Sequence, residues 1–236
     1  MGDIMRKRTL GIIIITLCIS VTSIFAYQTD IKGALVSFIR AFTKLESGDY
    51  AGAIEGYTKT IKLNPSNAMA YFSRGYAKYN LGDNTGALED YNKAISLNPK
   101  EAMFFSSRGI LLKDSPEAMQ DHNTAIRLDP KWSNAYFSRG VAKYNLKDYA
   151  GAIQDYNEVI KLDSKFVEAY INRGVAKSEL GDEQGSLYDF NTAIELNPKK
   201  ALAYHNRGDA KKNLGDKQGA IDDFNKAEEL GYKETN

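Results

Sequence analysis

The sequence predicts an all-α protein in which six tandem helix-turn-helix repeats follow an N-terminal apolar leader. Three observations predict this architecture. Asn-Pro or Asp-Pro pairs end successive segments at Pro65, Pro99, Pro130 and Pro198. Arg-Gly pairs recur in register with these prolines, and each segment carries two stretches of apolar residues at helical spacing. A fixed period of this kind is the mark of a repeat protein, whose units stack side by side.

Residues 1–26 are expected to direct the chain to or across a membrane. Arg6, Lys7 and Arg8 precede the stretch 9–27, which holds no charged residue and has the apolar run 12–15 at its centre. A basic start followed by a short apolar segment is typical of a signal peptide. We therefore expect an exported or secreted protein, or one that the N-terminal segment anchors in the membrane, with residues 27–33 as a short linker.

The fate of this leader is left open among three alternatives. Cleavage after Ala26 would release the repeats from the membrane. An uncleaved segment would be an N-terminal membrane anchor with its basic residues on the cytoplasmic side. A lipoprotein, attached through Cys18, is the least favoured alternative because the bulky Leu17 precedes the cysteine.

The repeats are predicted to occupy residues 34–234. Aligning the chain on its prolines and Arg-Gly pairs gives the blocks 34–67, 68–101, 102–132, 133–166, 167–200 and 201–234. Five blocks have the same length, and the third is three residues shorter.

Each block is predicted to form two amphipathic helices. In the second block Leu81-Gly82-Asp83 supplies a helix stop and a turn, and Pro99 ends the second helix. Small residues are expected where the helices cross, for example Gly75 against Ala87. In the third block Ser115 is predicted to cap the second helix, with Pro116 in its first turn.

The aligned columns resemble those of tetratricopeptide repeats over residues 34–234. Besides the Arg-Gly pair and the closing proline, the resemblance rests on an alanine column (Ala53, Ala87, Ala118, Ala152 and Ala220) and an aromatic column (Tyr57, Tyr91, Tyr156, Phe190 and Phe224). Two departures stand out. His122 replaces an aromatic residue, and lysines stand where the family usually has a large apolar residue, at Lys44, Lys78, Lys143, Lys177 and Lys211.

The resemblance implies a right-handed α-solenoid that acts as a non-catalytic protein–protein interaction scaffold. In the proteins it resembles, the first helices line a concave groove that receives extended peptides or partner helices. Mapping that face predicts a partner-binding groove of aromatic, aliphatic and amide side chains: Phe38, Phe42, Phe72, Tyr76, Tyr79, Asn80, Ile110, Phe137, Val141, Tyr144, Asn145 and Ile171. Some of these residues are alternatively explained by packing between adjacent first helices.

Charged residues recur in columns that predict structural ion pairs between the helices of one block. Each Arg of blocks two to six has an Asp at a fixed place downstream, and the pair survives the shortening of the third block. A partly buried guanidinium needs a carboxylate partner. The predicted pairs are Arg74 with Asp90, Arg108 with Asp121, Arg139 with Asp155, Arg173 with Asp189, and Arg207 with Asp223. An asparagine column (Asn92, Asn123, Asn157, Asn191 and Asn225) predicts further hydrogen bonds between helices.

The ends of the repeat array differ from its middle. Arg40 has Gly56 where the other blocks have an aspartate. An isoleucine column expected to face the following block (Ile61, Ile95, Ile126, Ile160 and Ile194) ends in Glu228, which indicates that nothing stacks beyond the last block.

Composition argues against several other functions. The chain has 31 Lys and Arg against 30 Asp and Glu, so it lacks the positive field that nucleic-acid binding needs. One cysteine and two histidines offer no material for a metal site or a catalytic cluster. We expect no enzyme activity, no cofactor and no metal. The expected partner is a protein or peptide, and the membrane is reached only through the N-terminal segment. The alternative function is a self-assembling structural component of a membrane-associated complex, and a homo-oligomer is compatible with either.

Overall fold

The computed structural model describes residues 30–113 and 115–233 of the chain. Within these ranges the protein contains twelve α-helices and no β-strand, as the sequence predicts. The predicted signal peptide or anchor at 1–26 lies outside the described residues. In the part that is described, no helix combines the length and apolar character required to cross a membrane.

The helices follow one another with short turns between them. Residues 30–46 are helical (α1). The remaining helices are α2 (Tyr50–Leu63), α3 (Ala68–Asn80), α4 (Asn84–Leu97), α5 (Ala102–Leu112), α6 (Pro116–Leu128), α7 (Ser133–Asn145), α8 (Tyr149–Leu162), α9 (Val167–Glu179), α10 (Glu183–Leu196), α11 (Ala201–Asn213) and α12 (Lys217–Glu229). Odd-numbered helices are the first helices of the six repeats, and even-numbered helices are the second helices.

The chain divides into two compact units, Met1–Pro99 and Lys100–Asn236. The N-terminal unit contains α1–α4, and the C-terminal unit contains α5–α12. Inside each unit a first helix packs on the second helix of its own repeat and on the second helix of the repeat before it, as α3 does with α4 and α2. This is the nearest-neighbour packing of a repeat protein.

An aspartate caps most second helices. The side chains of Asp49, Asp83, Asp148, Asp182 and Asp216 each accept a hydrogen bond from the backbone N–H three residues later, at 2.9 Å. The residue that donates is always a glycine. A Cβ at Gly86, for example, would lie 2.2 Å from Asp83 Oδ2, so a side chain there would disturb the cap.

Where the two helices of a repeat cross, the glycine of the first helix faces an aromatic ring of the second helix. A Cβ at Gly75 would lie 3.0 Å from the ring of Tyr91, and one at Gly140 would lie 2.7 Å from the ring of Tyr156. The glycine therefore makes room for a large ring of the second helix. The two columns of small residues also meet, as expected, in the fifth repeat, where the hydroxyl of Ser186 in the alanine column donates to the carbonyl of Gly174 at 2.7 Å.

The core of each repeat combines those rings with alanines. Tyr57, Tyr91, Tyr156 and Phe190 are almost completely buried, and so is His122, which takes the ring position of the third repeat. Alanines of the following repeat complete the core, as Ala70 and Ala77 do around Tyr57. Burying these rings between neighbouring repeats supplies the hydrophobic stabilisation that a single helical pair lacks.

The shortened third repeat keeps its helical pair. Ser115 caps α6 by accepting a hydrogen bond from the N–H of Ala118, and Pro116 lies in the first turn, as predicted. Lys113, which ends α5, has a φ of 57°. The deletion is thus absorbed by a turn with an unusual backbone conformation, and the two helices are preserved.

Candidate functional site

The predicted arginine–aspartate pairs lie between the two helices of their repeats. In all five the aspartate receives two hydrogen bonds, at 2.7–2.9 Å from the arginine Nε and 2.5–2.7 Å from Nη2. Each arginine also lies over an aromatic ring three residues earlier, with 5.4–5.9 Å between Cζ and the ring centroid. A carboxylate that accepts two hydrogen bonds and the face of an aromatic ring are both partners that suit the flat guanidinium group.

A lysine completes the site in four repeats. The Nζ atoms of Lys78, Lys143, Lys177 and Lys211 lie 2.8–2.9 Å from the second oxygen of the same aspartate. Each also donates to a backbone carbonyl of the second helix, at 3.2–3.4 Å. These are the lysines that depart from the family pattern, and each lies four residues after its arginine. That spacing puts both cations on one face of the first helix, a signal that sequence reasoning did not use.

Asparagines join consecutive repeats through the same arginines. Asn123, Asn157 and Asn191 accept a hydrogen bond from Nη1 of Arg139, Arg173 and Arg207, at 2.7–2.8 Å. Thr58 does the same for Arg74 at 3.2 Å. The predicted asparagine bonds therefore exist in these repeats, and they run between neighbouring repeats.

Asp223, the aspartate of the last repeat, is ionised at neutral pH. Burial raises the pKa of Asp223, but the hydrogen bonds from Arg207 and Lys211 outweigh it and hold the pKa below its ordinary value. Every acceptor oxygen of this carboxylate faces a cation of its own repeat. Carboxylates engaged in this way stabilise the helical pairs and are poor candidates for acid–base chemistry.

Three aromatic residues of the predicted groove are exposed in the N-terminal unit. Phe42 on α1 is 49% exposed, and Tyr76 and Tyr79 on α3 are 42% and 40% exposed. Leu35 and Ile39, which share a face of α1 with Phe42, are also exposed. Solvent-accessible aromatic rings on neighbouring first helices form what we call the N-terminal aromatic surface, defined by Phe42, Tyr76 and Tyr79. Asn80, also exposed, lies beside it at the end of α3.

Two other predicted groove residues of this unit are half-buried and pack inside their own repeats. The ring of Phe38 meets the core ring of Tyr57 with centroids 5.4 Å apart, and the ring of Phe72 meets that of Tyr91 at 5.6 Å. These phenylalanines pack on the core rings of their own repeats and are less accessible to a partner than the three exposed rings.

The C-terminal unit offers fewer exposed apolar side chains on its first helices. Ile110 on α5 and Asn145 on α7 are exposed, whereas Val141 and Tyr144 are half-buried. Val141 and Tyr144 line a small cavity together with Tyr156, Asn172 and Val175. The Tyr144 hydroxyl donates to Glu179 at 3.2 Å, and burial together with this carboxylate raises the pKa of Tyr144 to about 12.

Ile171 was assigned to the groove, and the structure corrects that assignment. Its side chain is almost completely buried in the core formed with Tyr170 and Phe190. Phe137 is half-buried between the rings of Tyr156 and Phe166, at centroid distances of 5.9 and 5.0 Å. At this first-helix position the side chain packs on the second helix, because it points across the helical pair and away from solvent.

Residues of metal-binding type do not gather anywhere in the described ranges, 30–113 and 115–233. His122 is a core residue, as predicted. Burial lowers its pKa to about 4, so the ring is neutral at physiological pH. His205 stacks on Tyr232 with centroids 4.1 Å apart, next to the end of α12.

Family models of the tetratricopeptide repeat match residues 41–102, 142–181, 167–200 and 201–230. Together these ranges cover more than half of the chain, in agreement with the helical pairs described above. The chain is a tetratricopeptide-repeat protein. The stretch 103–141, which includes the shortened repeat, lies between the matched ranges. Tetratricopeptide repeats are generally non-catalytic scaffolds for protein–protein interaction. No curated protein sequence matches the chain significantly.

Solved structures share the fold of this tetratricopeptide-repeat protein at low sequence identity. YrrB, described as a TPR protein with an unusual peptide-binding site, is 22% identical with a TM-score of 0.60, and the match covers 76% of this chain and 94% of YrrB. PilW, described as a widely conserved type IV pilus biogenesis factor, is 19% identical with a TM-score of 0.77, covering 85% and 95%. A tetratricopeptide repeat protein from Parabacteroides merdae is 22% identical with a TM-score of 0.61, covering 86% and 95%.

Proposed function

We propose that this protein is a scaffold that binds a peptide segment or a helix of a partner protein on the N-terminal aromatic surface. The observation that carries the proposal is the exposure of Phe42, Tyr76 and Tyr79 on adjacent first helices. Repeat stacking leaves a large part of each of these rings in contact with water. Covering such rings with a partner would recover the hydrophobic free energy that the repeat array does not use.

The chemistry of this surface favours a partner with apolar side chains. Phenylalanine and tyrosine rings lose little side-chain entropy on binding, which makes them frequent hot spots at interfaces. The half-buried rings of Phe38 and Phe72 lie on the same two helices and hold their backbone positions through contacts with the core. YrrB, which shares the fold, is described as having a peptide-binding site. We infer that aromatic or aliphatic side chains of an extended segment or amphipathic helix are the recognised groups.

Peptides selected on the full chain from a random display library test this proposal. The library should yield sequences rich in aromatic and aliphatic residues. Replacing Phe42, Tyr76 and Tyr79 together by alanine should weaken binding of the selected peptides by about thirtyfold or more, since loss of a hot spot costs about 2 kcal/mol. Binding is measured by isothermal calorimetry or fluorescence anisotropy.

An exposed tyrosine on a second helix provides a matched control. Tyr188 on α10 is 67% exposed, so Tyr188→Ala removes a ring that is at least as accessible. This variant should bind the peptides with unchanged affinity, and circular dichroism should show the same helicity for both variants. Equal affinity of the triple variant and the wild-type chain for the selected peptides would refute the assignment of the surface.

We also propose that the scaffold works outside the cytoplasm, exported or tethered by its N-terminal segment. The support is the basic cluster at 6–8 followed by the uncharged stretch 9–27. Mass spectrometry of the mature N-terminus in membrane and soluble fractions distinguishes a cleaved signal from an anchor. An intact N-terminus found only in the soluble cytoplasmic fraction would rule out both.

A further inference from the structure

The first repeat exposes a face that the other repeats bury. Where a preceding repeat exists, the alanine near the start of the first helix packs against it and is completely buried, as Ala70, Ala169 and Ala203 are. The same position of the first repeat holds Val36, which is 42% exposed. We call this surface the N-terminal face, defined by Val36, Arg40 and Thr43 on one side of α1.

The N-terminal face carries an arginine, Arg40, that lacks the usual carboxylate. Gly56 stands where the other repeats have an aspartate, and Ala41 stands where they have a glycine. In the first repeat the glycine is therefore on the second helix, whereas in the other repeats it is on the first helix. A Cβ at Gly56 would lie 2.7 Å from the Cβ of Ala41, which explains why no aspartate fits. A cavity of about 560 Å³ opens there, lined in part by Lys32, Arg40, Lys44 and Lys59, with Glu55 as its acidic residue.

Arg40 is consequently left without the contacts that its counterparts make. Among the described residues it has neither a hydrogen bond nor an ion pair, whereas the arginines of later repeats bond to an asparagine or threonine of the preceding repeat. Ser37 occupies the place of the aromatic ring over which those arginines lie, and its hydroxyl donates to the carbonyl of Gly56 at 2.9 Å. Arg40 is therefore the arginine of this column for which the described residues provide no acceptor from a preceding second helix.

The opposite end of the array offers the matching acceptor. On α12 the exposed residues Ile221, Asn225 and Glu228 occupy the positions that, in earlier repeats, meet the following first helix. Asn225 belongs to the asparagine column that accepts from the next arginine, and the described residues supply no such arginine. Ile221 is 52% exposed, although its counterparts Ile54 and Leu187 pack against core clusters. We call these three residues the C-terminal face.

Contrary to the expectation that nothing stacks beyond Glu228, we propose that the C-terminal face of one copy of this chain binds the N-terminal face of another. The contact would repeat the one between consecutive repeats, with Arg40 donating to Asn225 of the partner copy. Consecutive helices run antiparallel, so Glu228 of one copy would lie level with Val36 of the other, between Lys32 and Arg40. Ile221 of the first copy would lie level with Thr43 of the second. An acidic residue enters a basic cavity, so the two faces are complementary in charge as well as in position.

This contact is heterologous, so it joins copies head to tail into chains, or into rings where the rotation between copies closes. It uses a different surface from the N-terminal aromatic surface, and copies joined in this way would present that surface repeatedly. The competing occupant is the chain's own N-terminal segment, residues 1–29, folded back on α1. The two occupants predict different results when charges are exchanged between the faces.

Sedimentation equilibrium of the full chain and of charge variants tests the proposal. The wild-type mass should rise with concentration through the micromolar range. Arg40→Glu and Glu228→Lys, each alone, should weaken association by about tenfold, which corresponds to the loss of a charge-assisted contact. The double variant R40E/E228K should recover most of the association because the charges are complementary again. Lys161→Glu, an exposed charge reversal on α8, is the control and should have no effect.

Disulfide trapping gives a second measurement that does not depend on charge. In a Cys18→Ser background, Thr43→Cys and Ile221→Cys are made in separate proteins and mixed under mild oxidation. A mixed disulfide that forms faster than either homodimer supports the proposal. A strictly monomeric wild type overturns it, as does association that is indifferent to R40E and E228K. Association that appears only after removal of residues 1–29 also overturns it, because that segment would then be the occupant.

Discussion

At the scale of single residues, the aspartate between the two helices explains why this sequence tolerates lysine where its family has apolar residues. Asp189 is completely buried, and Arg173 and Lys177 each reach one of its oxygens. A buried carboxylate is costly unless all its oxygens are paired, and here the lysine supplies the second partner. The arginine–aspartate pairs could be predicted from their constant spacing. The lysines were missed because the family pattern has an apolar residue there; the signal was their place four residues after the arginine that pairs with the same aspartate.

His122 makes the third repeat sensitive to pH. Its ring is buried, its Nδ1 has no hydrogen-bond partner in the described structure, and burial lowers its pKa to about 4. In the unfolded chain a histidine has a pKa of about 6.5. At a pH between these two pKa values, His122 binds a proton in the unfolded chain but not in the folded chain. The contribution of the neutral ring to stability is therefore complete above about pH 6.5 and is lost as the pH falls towards about 4.

Replacing this histidine by the aromatic residue of its column should remove that dependence. We expect His122→Phe to lose about 2 kcal/mol less stability than the wild-type chain between about pH 7 and about pH 5. Urea unfolding followed by circular dichroism at the two pH values measures the difference. The same loss of stability in both proteins would show that His122 is not the group responsible.

At the scale of helices and turns, the fourth repeat carries a strained connection where four other repeats have glycine. The turn between first and second helix uses a glycine with positive φ in four repeats, at Gly48, Gly82, Gly181 and Gly215. Lys147 occupies this place in the fourth repeat with a φ of 64°. A residue with a Cβ is disfavoured there because the Cβ crowds the neighbouring carbonyl oxygen.

Lys147→Gly should therefore stabilise the protein by about 0.5–1 kcal/mol, with the glycine's greater freedom in the unfolded chain offsetting part of the gain. Gly82→Ala, the reverse change at the same place in the second repeat, should destabilise by about 1 kcal/mol. Both are measured by chemical denaturation. A loss of stability in Lys147→Gly would mean that the lysine side chain makes a contact in this turn that outweighs the strain.

The helices themselves could be predicted closely, because the prolines, the Gly-Asp turns and the apolar spacing all mark the same boundaries. Contacts between helices were harder to predict. The sequence shows that Gly75 and Ala87 are small, but not which of them faces the Tyr91 ring, since that depends on the rotation of each helix about its axis. For the same reason Ile171 was placed in the groove although it points into the core.

At the scale of the whole molecule, the ends of the repeat array carry information that its middle does not. A stacked repeat satisfies its polar groups through its neighbours, so the first and last repeats must expose groups that the others pair. The change from Ile to Glu228 and the loss of the aspartate at Gly56 were both visible in the sequence. The proposal that relates them depends on the structure, which shows that the arginine column bonds to the asparagine column of the preceding repeat.

The apolar character of the first-helix surface also changes along the chain. The position of Phe42 is taken in later repeats by Tyr76, Ile110, Val141, Val175 and Asp209, in that order. The aromatic residues of the predicted groove lie in the first, second and fourth repeats, and among them Phe42 and Tyr76 are exposed. What the sequence could not provide is which rings remain free once the helices pack. Of the twelve predicted groove residues, the three exposed rings of Phe42, Tyr76 and Tyr79 are therefore the best candidates for contact with a partner.

Site-specific photo-crosslinking in cells tests the central claim most directly. A photoreactive phenylalanine analogue replaces Tyr76 in one protein and Tyr188 in another, so that both probes sit at solvent-exposed positions. The account predicts that a partner protein is captured at position 76 and not at position 188, and that Phe42→Ala combined with Tyr79→Ala reduces the capture. Equal capture at both positions, or capture only at position 188, would contradict it.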